Sequence, residues 1–250
     1  MAKPVYNKPA LTIQDQAKLL FSRNLSGIKN DDLQKELERT SYYRISGYSF
    51  PYQDKQNNDQ FIVKTAWKYI KSDYVLDASL RHLLFEAIGL IEITLRTQLI
   101  YQMSIVHGAN WYSNVNLFRD SSKLTADHND LLKNWNRSSD LFVNHYKNTY
   151  DTIKEPPAWM IFETTTFGSL SRYFENIKIK DAGKNAICNY WHVTDRKDYP
   201  VFSNWLKNML SICAPEFKFE RKLKTILKYA TPKQLAVMGL HKDWKKGFKK

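Results

Sequence analysis

Apolar residues recur every three or four positions between residues 65 and 107, through Leu76, Leu80, Leu84, Ala87, Ile91, Leu95 and Leu99, with Asp73 and Gln102 on the same stripe. This is the period of an α-helix with one buried face, and no proline interrupts it. Asp77 and Arg81, then Glu92 and Arg96, stand four residues apart with the acid first, the order that favours side-chain pairing on a helix. Ile88, Leu90 and Ile93 broaden the apolar face around Ile91, which predicts that other helices enclose this segment. Glu92 and Arg96 then become charges at the edge of a core. His107-Gly108 marks the end of the helix, with a glycine of the kind that turns left-handed after a last helical turn.

The flanking sequence repeats the pattern on a smaller scale. Thr12, with Asp15 three residues on, predicts the start of a first helix whose stripe is Ile13, Ala17, Leu20 and Phe21. A second helix is expected from residue 30 or 31 through Leu33, Leu37 and Arg39, and residues 52–60 read as a polar loop. Beyond Trp111-Tyr112, which open a more irregular stretch, helices are expected around 124–135 and at His145-Tyr146. Pro156-Pro157 should break the latter. A helix then starts near Ala158, carrying Trp159, Phe162, Glu163 and Phe167, with Gly168 at its end or at a kink. Leu170, Tyr173, Phe174 and Ile177 continue the spacing. Further helices are expected at 186–190, at 201–212 before Pro215, at 219–229 and around 235–244. No segment alternates for long, so the expected fold is all-α: a helical bundle around one long central helix, with additional N-terminal and C-terminal helices. The organisation expected along the chain is 1–64, then a core of 65–215 with an insertion near 113–155, then a basic segment of 216–250.

Composition narrows the class. Two cysteines, Cys188 and Cys213, make no disulfide framework, and no Cys/His cluster has the spacing of a zinc site. Neither has a partner at a spacing that would make it a nucleophile, nor do Asp198 and His192 form such a pair. No metal or other cofactor is expected. No run of eighteen apolar residues and no apolar leader occur, so the expectation is a soluble cytoplasmic protein without a membrane partner. The formal net charge is +13, and residues 217–250 carry eleven Lys/Arg against two acids. So dense a cluster attracts polyphosphate through counterion release, and Lys218, Arg221, Lys222, Lys224 and Lys228 are its candidate contacts. The plainer alternative is a solubilising tail. Tyr42, Tyr43, Arg44 and Tyr48 fall within seven residues; such a set can stack bases and hold phosphates, or pack a helix with its hydroxyls reaching water.

Taken in order, KPALTIQDQAKLL, SYYRISGYSFPY, YVLDASLRHLLFEAIGLIEITLRTQL, HGANWY, NHYKNTY, EPPAWMIFETTTFGSLSRYFEN and AVMGLHKDW resemble the abortive-infection (Abi) family of bacterial phage-resistance proteins, of the AbiD/AbiF kind. The likeness covers nearly the whole chain. That family is in turn similar to HEPN helical domains, many of them metal-independent ribonucleases, which implies a HEPN-like bundle and RNA as partner, a small regulatory RNA being one form. It makes Tyr42, Tyr43, Arg44, Gly47 and Tyr48 part of a family signature, sets Glu92 and Arg96 as a charged pair on the central helix, and matches Glu163, Thr166, Phe167 and Gly168 to a second motif. It also implies a homodimer through the helix around Trp205.

HEPN ribonucleases act through Arg-x4–6-His, in which histidine moves a proton near neutral pH and arginine meets the charge growing on phosphate. In the resembling family this lies in a stretch of the form R-N-x-C-A-H. Here the stretch reads Leu210-Ser211-Ile212-Cys213-Ala214-Pro215, with leucine for the arginine and proline for the histidine. None of the six histidines has an arginine five to seven positions before it; Arg137 and His145 are eight apart. Three readings follow: an RNA-binding protein that has lost cleavage, a ribonuclease toxin using His145 with Arg96, Glu92 or Glu163, and a defence component acting through protein contacts. A lone histidine beside a tyrosine on a helix, as His145 is beside Tyr146, is more often a packing or capping residue than a base.

Overall fold

In the computed structural model the described residues are Val5, Asn7, 9–64, 66–150, 155–191, 202–228 and 230–237, the side chains of 202–207, Lys233, Ala236 and Val237 excepted. They are predominantly helical: α1 Ile13–Ser22, α2 Asn30–Thr40, α3 Tyr42–Ser49, α4 Ala66–His107, α5 Ser121–Arg137, α6 Leu141–Thr149, α7 Ala158–Ile161, α8 Phe167–Asn176, α9 Ala182–Tyr190, α10 Phe202–Cys213, α11 Phe219–Leu227 and α12 Pro232–Val237. The all-α expectation with a long central helix holds. Inside the predicted polar loop lies one small exception, an antiparallel pair of two-residue strands, β1 Gln53–Asp54 and β2 Gln60–Phe61, in register Gln53↔Phe61.

The chain forms two compact units, the first from the described residues of Met1–His82 and Leu223–Lys245, the second from those of Leu83–Lys222. α4 gives residues 66–82 to the first unit and 83–107 to the second. In the first, Thr12 caps α1 by accepting from the Asp15 amide at 3.1 Å, and Asp15 accepts in turn from the Thr12 hydroxyl at 2.8 Å. Ala17, Leu20, Leu33, Leu37, Ile45, Tyr52, Phe61 and Ile70 bury together as its core. The Phe61 amide donates to the Arg23 carbonyl at 2.8 Å, tying the hairpin to the end of α1.

The second unit is organised by aromatic rings. Trp111 and Tyr112, at 1% and 0% exposure, sit beneath Phe162 and Tyr173. Trp111 stacks on Phe162 with centroids 5.2 Å apart, and Tyr173 meets Phe162 edge-on at 5.1 Å. Around them, Asn176 accepts from the Asp120 amide at 3.0 Å and donates to the Asp120 carbonyl at 2.8 Å, pinning the start of α5 to the end of α8. Lys184, on α9, donates to the carbonyls of Phe174 and Ile177 at 2.9 and 2.8 Å, closing the C-terminal turn of α8.

Three local expectations need adjustment, and one irregular stretch takes on a structural role. Ile93 is 66% exposed, so other helices do not enclose the middle of α4 on every side. α6 ends at Thr149, ahead of Pro156-Pro157. The helix begun at Ala158 breaks at Thr165-Thr166 instead of at Gly168, because the Thr166 hydroxyl accepts from the Ser169 amide and so starts α8 afresh. The Trp111-Tyr112 stretch, irregular in sequence, is the aromatic centre of its unit.

Candidate functional site

The charged pair on α4 forms as its spacing predicts. Arg96 Nη2 donates to Glu92 Oε1 at 2.7 Å. The same guanidinium reaches across 67 residues of sequence to the Glu163 carbonyl at 3.3 Å and its carboxylate at 3.4 Å, and donates to the Thr165 carbonyl at 3.1 Å. With its side chain only 15% exposed, Arg96 is a tie between α4 and the turn that precedes α8. The planar fork of donors suits it to collecting two carbonyls and two carboxylates at once. Arg96, Glu92 and Glu163 are therefore brought together. His145 is placed differently: it is exposed on α6, with its Nδ1 3.4 Å from the Thr149 hydroxyl.

The stretch that stands where an arginine–histidine motif would lie is packed. Leu210 is 2% exposed and Ala214 2%. Pro215 opens a single turn of 3-10 helix, Pro215–Phe217. Burial pushes the Cys213 thiol up from the usual range, partly offset by the Thr94 hydroxyl bonded to it. That contact sets the end of α10 beside α4 at a residue two positions from both Glu92 and Arg96. The side chain of Trp205, on which the expected dimer contact rests, lies outside the described residues, as do His192, Asp198 and His241.

The second motif is built around the start of α8. Besides its cap, Ser169 donates to Asp130 at 3.1 Å, and Arg172 Nε donates to Asp127 Oδ1 at 2.5 Å. The Asp127 bond holds the Arg172 guanidinium above its usual range. Asp127, Asp130 and Arg172, with Arg119, Lys123 and Glu175, line an open cleft of about 630 Å³. Three cations and three carboxylates interleave there, so its charges largely satisfy one another and do not make a polyanion site. Among the described residues no three His, Cys, Asp or Glu side chains converge as a metal would require.

The tyrosine-rich element is α3, and the structure sorts its residues. Tyr42 points inward and its hydroxyl accepts from Arg23 at 3.1 Å. The Tyr48 hydroxyl donates to Asp77, and its ring meets Tyr74 edge-on at 5.4 Å. Burial first, then the neighbouring carboxylate, raises the Tyr48 phenol above its ordinary value. Tyr43, by contrast, is 90% exposed, and the exposed Arg44 lies over the Tyr74 ring at 5.6 Å. Sequence reasoning paired Asp77 with Arg81, which holds at 2.9 Å, but did not reveal that Asp77 also receives Tyr48.

α11 is amphipathic. Phe219, Leu223 and Leu227 form its buried face, while Arg221, Lys222, Lys224 and Lys228 are exposed, as is Lys218 just before it in a left-handed conformation. Lys222 pairs with Glu86 at 2.9 Å and covers the Phe217 ring at 3.9 Å.

An all-helical chain with one long central helix, a carboxylate–arginine tie on it and a basic amphipathic helix beyond it defines a class. The family model described as Abi-like protein matches residues 35–212, and the chain belongs to that family. Membership supports a role in abortive-infection defence. No curated protein and no solved structure gives a significant match. Among the described residues no helix is long and apolar enough to cross a membrane.

Proposed function

We propose that this chain serves phage defence by binding RNA on its helical surface, and that it does so without an arginine–histidine cleavage pair. The observation that carries the reading is Leu210, buried at 2% where the family's likeness to HEPN ribonucleases calls for arginine, with Pro215 where it calls for histidine. A leucine side chain cannot neutralise a phosphate and a proline cannot move a proton. Arg96, the cation carried by α4 next to Glu92, already serves two carbonyls and two carboxylates. Binding draws instead on the outward cations of α11 and on Arg44 with Tyr43.

The test is to incubate the purified chain with labelled RNA, with and without chelator, and to follow both retention and strand length. Binding without cutting at high protein excess is the expected outcome. Metal-independent cutting that disappears in His145→Ala overturns it and makes the chain an enzyme. Failure to retain RNA at low salt leaves the protein-contact reading in its place.

A further inference from the structure

α3 turns two large apolar rings outward. Ile45 and Ser49 are buried on its inner side, while Tyr43, Gly47 and Phe50 follow one another at i, i+4 and i+7 along the outer side. The run is continuous, because Phe50 keeps right-handed helical angles at the end of α3. Tyr43 is 90% exposed and Phe50 61%. Between them Gly47 offers bare backbone: a Cβ built there meets nothing within 4 Å. A glycine inside a helix costs stability relative to alanine, and no neighbouring atom of this protein requires one here.

Single exposed aromatics are ordinary on protein surfaces. Two in helical register on either side of an empty glycine are a shaped feature. A rise of ~1.5 Å per residue sets the two side chains about 10.5 Å apart along the axis. That is close to three intervals of the ~3.4 Å that separate nucleotides along a stacked strand. Each end also has a cation. Lys55 Nζ sits 4.6 Å from the centre of the Phe50 ring and is held there by Asp59 at 2.9 Å. Arg44, beside Tyr43, rests over Tyr74 and has no carboxylate partner among the described residues.

We propose, on the RNA-binding reading above, that Tyr43, Gly47 and Phe50 form a slot for two consecutive bases of single-stranded RNA. The bases stack between the rings over Gly47, and Arg44 takes a flanking phosphate. Paired bases are already stacked and closed off, so duplex RNA does not enter. Tyr48 fixes α3 from the inner side through its hydrogen bond to Asp77 and its edge-on ring contact with Tyr74.

Fluorescence anisotropy with the full chain, a labelled oligouridine and a labelled RNA duplex decides the matter. Tyr43→Ala and Phe50→Ala should each weaken binding of the single strand by about tenfold, the effect of losing one stacked base. A Cβ at Gly47 meets nothing within 4 Å, so Gly47→Leu fills the slot without displacing protein atoms and should weaken the single strand as much while the melting temperature stays equal or rises. Duplex affinity should be unchanged in all three. Wild-type affinity of all three variants for the single strand overturns the slot and leaves RNA binding to other surfaces. Equal losses on duplex and single strand overturn it too, since stacking cannot cause them. If the wild-type chain retains neither RNA, the slot and the RNA-binding reading fall together.

Discussion

Arg96, a catalytic candidate in sequence, is an architectural tie in the structure. Its spacing from Glu92 was legible, because i,i+4 pairs on a helix meet whatever the tertiary fold. Its bonds to Glu163 and Thr165 were not, because they depend on how distant turns return to α4. Replacing it with methionine strips donors from two backbone carbonyls and a partner from Glu92. Urea unfolding of Arg96→Met should show a loss of about 2–4 kcal/mol with the denaturant slope unchanged. Leu210 poses the converse question. Restoring the arginine of the cleavage motif by Leu210→Arg places a guanidinium at a position 2% exposed. The expected result is a protein destabilised by at least about 3 kcal/mol, detected as a lowered melting temperature, and no gain of cleavage.

At the scale of elements, α8 shows why helix breaks are harder to read than helices. Residues 158–177 keep helical spacing throughout, and Gly168 looked like the weak point. The break instead follows the side chain that can replace a backbone partner: Thr166 caps α8, and Ser169 and Arg172 then face Asp130 and Asp127 of α5. Thr166→Ala should cost about 1 kcal/mol in chemical denaturation, the usual value of a lost N-cap. Thr166→Asp should recover most of it, since a carboxylate accepts the same bond at the positive end of the helix. α3 makes a related point. Its tyrosines were compatible with packing and with recognition, and the structure separates them: Tyr42 and Tyr48 are tied inward, whereas Tyr43 faces solvent.

For the whole molecule, a formal net charge of +13 favours polyanionic over polycationic partners. α11 carries its cations on one side because Phe219, Leu223 and Leu227 occupy the other. Exchanging Lys218, Arg221, Lys222 and Lys224 for glutamine should weaken RNA binding and flatten its salt dependence. Each lost phosphate contact lowers the slope of log K against log salt by about 0.7 for a single strand. Lys222 has to open its pair with Glu86 before it can take a phosphate. An unchanged slope across 50–300 mM salt (about the range over which counterion release is resolved) shows that the basic helix is not the contact surface.

The sequence by itself determined the helical class, the extent of the central helix, the cap at Thr12, the Glu92–Arg96 pair and the absence of an intact arginine–histidine spacing. All of these are local: period, capping chemistry and residue identity act within a few turns of chain. Tertiary structure alone decided that Trp111 and Tyr112 centre the second unit, that Ile93 stays in solvent, that Tyr48 belongs to Asp77, and that Gly47 lies open between two exposed rings. Each of those depends on which distant surface a side chain meets, and burial is a property of neighbours that no single window of sequence contains.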